Sequence, residues 1–137
     1  MKAILEKKLQ FLLEYLEEFH QFTEITFTEY ERNKLKKRTV ERLIQLFVEV
    51  GSDIAGIVIS ETKNCVPETY YECFMKLGEK KILSKTLARK MAASAGLRNR
   101  IIHEYGEYKD SIVFANIKPL YNSYLKFYHE MKKYLNS

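Results

Sequence analysis

An arginine, a histidine and a tyrosine lie close together within residues 97–105, and these side chains could act together on a phosphodiester. Arg98 carries a permanent positive charge on a planar group whose donors fit phosphate oxygens. His103 can give or accept a proton near neutral pH, and Tyr105 adds a hydroxyl group. The spacing therefore indicates a site that stabilises charge on a phosphate and transfers protons.

An ideal α-helix does not bring the arginine and the histidine together. His103 points about 140° away from Arg98 and lies about 7.5 Å along the axis, whereas Tyr105 points the same way as Arg98. Asn99 and His103, at positions i and i+4, are the natural neighbours. Arg98 and His103 could meet in three ways. The long arginine could reach across, the helix could loosen near Gly96 or at its C-terminal end, or a second copy of the motif could face the first.

Each of these residues also has a purely structural explanation. Arg98 and Arg100 could form a solvated basic stripe, which complements the dipole at a helix C-terminus. His103 could be a cation at the helix end, or a buried ring whose hydrogen bonds are satisfied. Tyr105 could be a packing residue, because it shares a helix face with Ile102. The pattern alone leaves the catalytic and the structural explanations open.

The same segment carries a family resemblance. Residues 98–105 read RNRIIHEY and resemble the R-N-x3-H-x-Y signature of the HEPN superfamily. More narrowly, they resemble the HepT-like toxins, which are paired with MntA-like nucleotidyltransferase antitoxins. Residues 96–97 and 42–55 fit the same family, the latter as its central helix. The resemblance extends from about residue 2 to about residue 135.

This resemblance implies a metal-independent endoribonuclease toxin that forms a symmetric homodimer, with both motifs lining one cleft. In the implied mechanism His103 assists the proton transfers, Arg98 stabilises charge on the transition state, and Asn99 orients His103 or the phosphate. The resemblance also implies that Tyr105 is the position that a cognate nucleotidyltransferase modifies with AMP. The alternative is a non-catalytic HEPN module that binds nucleotides or docks to a nucleotidyltransferase. The presence of all four side chains favours the enzyme.

The composition indicates one folded domain over residues 1–137 in the cytoplasm. The chain is 46% hydrophobic, and its net charge is +5. A basic balance favours RNA or another polyanion as partner, although ordinary solubility explains this magnitude equally well. Charges interrupt the N-terminal segment, and no apolar run approaches the roughly 20 residues that span a bilayer. We therefore expect no contact with a membrane.

Sequence motifs for cofactors are missing. There is no phosphate-binding loop, dinucleotide fingerprint, zinc-protease motif or acidic metal cluster. Cys65 and Cys73 are the only cysteines, and free thiols are the simplest interpretation. The sequence thus predicts that the protein needs no cofactor and that any phosphodiester cleavage is independent of metal ions.

The hydrophobic periodicity predicts an all-α, up-and-down helical bundle with four long helices and one or two short ones. The long helices are expected at about 2–20, 34–60, 84–105 and from 110 or 111 to about 135, with a short or irregular segment at 22–30. Thr69 is predicted to cap a short helix that Gly78 ends near Leu77, and Ser84 to cap the motif helix. Pro119 predicts a kink or a break near Ala115.

The helix predicted at 34–60 is the most apolar in the chain and should lie at the centre. Gly51 and Gly56 each cost about 1 kcal/mol of helix propensity, so they indicate either close approach of another helix or a loop. Asp53 lies on the narrow polar stripe of this helix, where it could orient a catalytic group or simply face solvent. The charge run at 34–38 is interpreted as a solvated helix start in preference to a nucleic-acid patch.

Overall fold

The structure, a computed structural model, describes residues 2–62, 69–103 and 110–137. Within these residues the chain forms six α-helices and no strand. The helices are α1 (Lys2–His20), α2 (Phe27–Arg32), α3 (Lys34–Ser60), α4 (Tyr70–Glu79), α5 (Lys85–His103) and α6 (Asp110–Leu135). The predicted all-α bundle of four long helices and two short ones is confirmed.

Side-chain caps set where the helices around the motif begin. Thr69 Oγ1 accepts a hydrogen bond from the backbone N–H of Glu72 at the start of α4. Ser84 Oγ accepts one from the N–H of Leu87 at the start of α5. Each bond satisfies a donor that the first helical turn leaves unpaired. Both predicted caps are confirmed, and α5 begins where the motif helix was expected.

The central position of α3 is confirmed, and one glycine explains how tightly it is packed. The helix contacts each of the other five described helices. A Cβ atom at Gly51 would lie 2.9 Å from Cε2 of Tyr124 on α6, so the glycine permits close approach of that ring. A Cβ at Gly56 would make only ordinary contact, 3.8 Å from Cys73 Sγ. Close packing is thus confirmed at Gly51, and the alternative of a loop is wrong at both glycines, since α3 is continuous.

By length and composition alone, α3 could cross a membrane, contrary to the prediction that no apolar run approaches this length. Its most apolar 18 residues have a mean hydropathy of 1.7. However, 61% of that window is buried inside the chain. The apolar surface of α3 is therefore used by the core of the bundle.

The predicted end of α4 at Gly78 is wrong. The helix continues to Glu79, and Gly78 lies buried inside it. A Cβ at this position would lie 2.7 Å from Cβ of Ala88, so the glycine allows α4 and α5 to pack closely. The chain leaves the helix just afterwards at Lys81, which has a φ of 61°. Here the glycine serves helix packing, and a different residue adopts the left-handed conformation.

A break near Ala115 is also not found, since α6 is helical from Asp110 to Leu135 with Pro119 inside it. A proline removes one backbone hydrogen bond and crowds the preceding turn. Val113 and Leu120 are nevertheless buried on either side of it. Burial of this apolar face outweighs the local cost, because tertiary packing supplies most helix stability in proteins.

The motif helix α5 lies between neighbours on several sides. It packs against α4, α3 and α6. The following helix, α6, is fixed at its first residue by an ion pair in which Lys37 Nζ lies 2.7 Å from Oδ2 of Asp110. Both side chains are about three-quarters buried, which favours a firm contact. The start of α6 is thereby joined to the start of α3.

Candidate functional site

Arg98 lies on the side of α5 that faces α3 and α4. Its guanidinium carbon is 4.9 Å from the ring centroid of Tyr70 on α4. Its Nη2 atom is 3.9 Å from Oε2 of Glu49 on α3. The arginine side chain is only 20% exposed, whereas that of Glu49 is 49% exposed. The ring contact is worth about 0.5–2 kcal/mol depending on desolvation, and so long and exposed an ion pair contributes less. Tyr70 is therefore the main support of the cation.

Among the described residues, the Arg98 guanidinium uses few of its hydrogen-bond donors. A guanidinium carries five N–H donors. Nη1 makes a long hydrogen bond of 3.3 Å to Oδ1 of Asn99, and the 3.9 Å separation from Glu49 exceeds hydrogen-bond distance. Nε is buried and has no hydrogen-bond partner among the described residues. The group is thus held in place while donors at its exposed edge can bind an anion.

The ring that supports Arg98 is a neutral phenol at physiological pH. Burial raises the pKa of Tyr70 above 10.0, and this effect exceeds the opposite influence of the Arg98 charge. The carboxylates of Glu49 and Asp53 raise that pKa further. The contact is therefore made by an uncharged aromatic ring, and the arginine charge is not neutralised by a phenolate.

His103 is the last residue of α5 and is exposed. It has no hydrogen bond or ion pair with any residue in the ranges 2–62, 69–103 and 110–137. Asn99 is exposed as well, and its side chain contacts Arg98, not the histidine. The expected pairing of Asn99 with His103 is not found within these ranges.

Within the described chain, nothing brings Arg98 and His103 into contact. The helix is continuous through Gly96, so the loosening expected there is not found. The arginine side chain extends toward Tyr70 and not toward His103. That a second copy of the chain brings its motif to face the first stays a prediction. Tyr105, the predicted modification site, lies outside the described residues, within 104–109.

Asp53 is found on the exposed side of α3, where its Oδ2 atom lies 3.5 Å from Nζ of Lys8 on α1. Its side chain is 47% exposed. Lys8 is its ion-pair partner in the described structure, so its expected role in orienting a catalytic group stays a prediction. Asp53 does reach the site electrostatically, because it raises the pKa of Tyr70.

A wide cavity of about 580 Å³ lies between α1, α3 and α4, next to the contact between Tyr70 and Arg98. Tyr70, Asp53 and Lys8 line it, and Cys73 lies at its wall. Burial and, to a smaller extent, Glu72 raise the pKa of the Cys73 thiol. The thiol is therefore protonated near neutral pH, which makes it a poor nucleophile.

Tyr70 and Glu49 were missed as site residues by the sequence pattern. Glu49 is one helical turn before Asp53 on the polar stripe of α3, a weak signal that a charged partner was needed there. Tyr70 follows the capping residue Thr69 and carries no local signal. Its contact with Arg98 joins two helices, and only the packing of α4 against α5 creates it.

No group of three or more His, Cys, Asp or Glu side chains could hold a metal ion among the described residues. The chemistry that these residues offer is an electrostatic site for an anion at Arg98 and proton transfer at the exposed His103. Both functions can assist the cleavage of a phosphodiester.

Comparison with known proteins identifies relatives over almost the whole chain. The model of the family described as ribonuclease HepT-like matches residues 12–131. A curated protein named tRNA nuclease HepT, from Aphanizomenon flos-aquae (strain 2012/KM1/D3), is 32% identical over 133 residues. That alignment covers 97% of this chain and 90% of the relative.

Solved structures share the fold at lower identity. A tri-AMPylated HEPN toxin from Shewanella oneidensis, in complex with an MNT antitoxin, superposes with a TM-score of 0.87 at 19% identity, covering 97% of this chain and 99% of that one. YutE from Bacillus subtilis, described as a cytosolic protein of unknown function, superposes with a TM-score of 0.81 at 16% identity, covering 97% and 89%. The resemblance found in the motif and the all-α fold are both confirmed.

Proposed function

The chain belongs to the HepT-like ribonuclease family, and from this premise we propose that it is a toxin that cleaves RNA internally without a metal ion. A nucleotidyltransferase antitoxin of the MntA type is its proposed partner. The observation that carries the proposal is the state of Arg98, a cation supported by Tyr70 with donors left over for a phosphate. We place the protein in the cytoplasm, where its RNA substrate is found.

In the proposed reaction the RNA supplies its own nucleophile. The 2′-hydroxyl attacks the adjacent phosphorus atom, a new 2′-O–P bond forms, and the bond from phosphorus to the 5′-oxygen breaks. The products are a 2′,3′-cyclic phosphate and a 5′-hydroxyl. His103 transfers protons, while Arg98 stabilises the extra negative charge on the pentacovalent phosphorus centre. Asn99 lies within hydrogen-bond distance of Arg98 and helps to orient it or the phosphate.

The reaction needs a base for the 2′-hydroxyl and an acid for the 5′-oxygen, and the motif offers one histidine per chain. A symmetric homodimer would place His103 of one chain beside Arg98 of the other, where the same imidazole first accepts the proton of the 2′-hydroxyl and then donates it to the 5′-oxygen. The exposure of His103 at the helix end is consistent with such an arrangement. Light scattering at micromolar concentration should give twice the chain mass of 16.3 kDa. A monomer would contradict the shared cleft.

Inactivation is proposed to occur by transfer of AMP to Tyr105. The adduct would place a phosphate near the site at which Arg98 binds substrate, and charge-assisted hydrogen bonds would hold it there. Incubation with the cognate nucleotidyltransferase and ATP, followed by peptide mass spectrometry, tests this assignment. Tyr105→Phe should resist inactivation, whereas an adduct confined to Tyr108 in a silenced toxin would contradict the role of Tyr105.

One experiment tests the proposed function directly. Purified protein is incubated with tRNA, the substrate that the relative's name suggests, and with total RNA, both in EDTA. The wild type is compared with His103→Ala and with His129→Ala, which removes another exposed histidine on α6. We expect cleavage by the wild type and His129→Ala, with cyclic-phosphate ends, and none by His103→Ala. Cleavage that appears only with magnesium would contradict the mechanism, and no cleavage at all would favour a docking module.

A further inference from the structure

The cavity between α1, α3 and α4 adjoins the anion-binding arginine through one shared residue. Tyr70 lines the cavity, and the face of the same ring supports the Arg98 guanidinium at 4.9 Å. A phosphate bound at the exposed edge of Arg98 therefore has this cavity as an immediate neighbour. It is a wide groove open to solvent, and its volume of about 580 Å³ leaves room for a base to lie along its wall.

The lining of the cavity suits an uncharged polar ring. Asp53 and Lys8 face each other at 3.5 Å, the outer limit of a hydrogen bond, and both are partly exposed. The carboxylate can accept a hydrogen bond from a ligand, and the ammonium group can donate one. Ser52 and Ser60 also line the cavity, and each already donates its hydroxyl proton to a backbone carbonyl. Their oxygens can therefore act only as additional acceptors.

The charges argue against a second phosphate in this cavity. The cationic Lys8 is already paired with Asp53, and Glu49 lies nearby, as shown by its influence on the pKa of Tyr70. An anion in the cavity would face the Asp53 carboxylate that lines it, while Arg98 offers it a better site outside. A nucleobase has no such penalty, and it brings a flat face for an aromatic ring and N–H groups for a carboxylate.

We propose that the cavity between α1, α3 and α4 is a nucleobase subsite, which holds the base next to the phosphate at Arg98. Tyr70 contacts the base, and Asp53 accepts a hydrogen bond from its exocyclic amino group. This arrangement favours a base with an amino group, such as cytosine, over uracil, because carboxylates pair with the amino group of cytosine. The inference rests on the proposed function for the position of the phosphate.

Photocrosslinking locates the base independently of cleavage. His103→Ala protein, which should bind RNA without cutting it, is irradiated with short RNAs that carry 5-iodocytidine at one position at a time. Peptide mass spectrometry should find the adduct on Tyr70. The neighbouring Tyr71 is more exposed, at 54%, and serves as an internal control for non-specific reaction. An adduct on Tyr71 or elsewhere, with Tyr70 unmodified, would overturn the subsite.

Base preference provides the second test. Wild type, Asp53→Asn and Glu41→Gln are each given a randomised RNA pool, and the nucleotides flanking the cuts are sequenced. Glu41 is a matched control because it lies on α3 about 18 Å along the axis from Asp53. The wild type and Glu41→Gln should prefer an amino-bearing base, and Asp53→Asn should weaken that preference about tenfold. An unchanged preference in Asp53→Asn would overturn the subsite.

The two proposals fail in different ways. If the wild type cleaves no RNA but the crosslink forms on Tyr70, the proposed function is wrong and the subsite stands. If the wild type cleaves RNA and the crosslink forms elsewhere, the subsite is wrong and the function stands. Should Asp53→Asn lose all cleavage, the crosslink on Tyr70 decides the question.

Discussion

Two residues of one motif, five positions apart on α5, have opposite surroundings. Arg98 is 20% exposed and is contacted by Tyr70 from α4 and Glu49 from α3. His103 ends the helix in an exposed position, and no hydrogen bond or ion pair reaches it from the described residues. The bundle therefore positions the anion-binding Arg98 within a single chain and leaves the proton-transfer group, His103, exposed to solvent.

This difference has a physical basis in what each group must do. A long arginine side chain loses up to about 2 kcal/mol of conformational entropy when it is fixed. Fixing it during folding removes that cost from the binding step, and a preorganised charge stabilises a transition state best. A histidine that exchanges protons with RNA must instead be reachable by the substrate and, in a homodimer, by the second chain. The comparison predicts different responses to mutation at the two positions.

The largest expected effect is loss of cleavage when either residue is removed. Arg98→Ala and His103→Ala should each lower the rate of RNA cleavage about a thousandfold, because each removes a group that acts in the transition state. Helical circular dichroism should stay unchanged for both. Arg100→Ala, which removes the neighbouring exposed arginine, is the control and should retain most activity. A substantial rate in either motif variant would exclude that residue from the chemistry.

The next largest effect is the recovery of activity in mixed dimers, which tests whether the exposed His103 acts with Arg98 of its own chain or of a second copy. If Arg98 of one chain works with His103 of its partner, a mixture of Arg98→Ala and His103→Ala proteins contains dimers with one intact site. After unfolding and refolding together, such a mixture should recover about a quarter of wild-type activity, by random pairing of two chains. Separately refolded variants should remain inactive. No recovery in a verified mixed dimer would assign both residues to the same chain.

A smaller effect is expected when the support of Arg98 is removed. Tyr70→Leu should lower kcat/KM about tenfold, because the loss of the ring frees the Arg98 guanidinium and removes the proposed contact with the base. Tyr70→Phe keeps the ring and should restore most of the rate, since the phenol is neutral at the assay pH. Tyr71→Leu is the matched control on the same helix. Equal losses in the Leu and Phe variants would show that the hydroxyl, and not the ring, matters.

The smallest effect is expected in the core beneath the supported arginine. The hydroxyl of fully buried Tyr124 lies 2.6 Å from Oγ of Ser94, one helical turn before Arg98. Tyr124→Phe should lower the free energy of unfolding by about 1 kcal/mol near pH 8. Cleavage activity should change less than twofold, because the supports of Arg98 remain.

The stability lost in Tyr124→Phe should depend on pH, because the Tyr124 ring is buried. Burial raises the pKa of Tyr124 far above its ordinary value of 10.0. The unfolded chain therefore releases this proton at a lower pH than the folded chain does, and stability falls as pH rises past about 10. The phenylalanine variant lacks this contribution, so the stability difference should shrink in alkali. Urea unfolding at several pH values measures it, and a constant difference would contradict the burial effect.

The sequence predicted the helices well where local chemistry and periodicity agreed. The cap at Thr69, the cap at Ser84 and the bounds of α3 all follow from side chains near in sequence. The predicted helix end at Gly78 and the predicted break near Ala115 were wrong, because both treated a helix-breaking residue as decisive, while the alternative of a kink at Pro119 stays a prediction. In the structure, close packing of α4 on α5 explains the glycine, and burial on both sides of the proline maintains α6.

For the site, the residue types and their spacing already specify which groups are available: a permanent cation, a proton carrier and their positions on one helix. That information is local, since residue type and helical spacing fix both the chemistry and the angle between Arg98 and His103. The support of Arg98 by Tyr70 and Glu49, and the cavity beside it, arise from the packing of separate helices. These contacts join α3, α4 and α5, and no periodic pattern within one helix encodes which side chains of two other helices will face it.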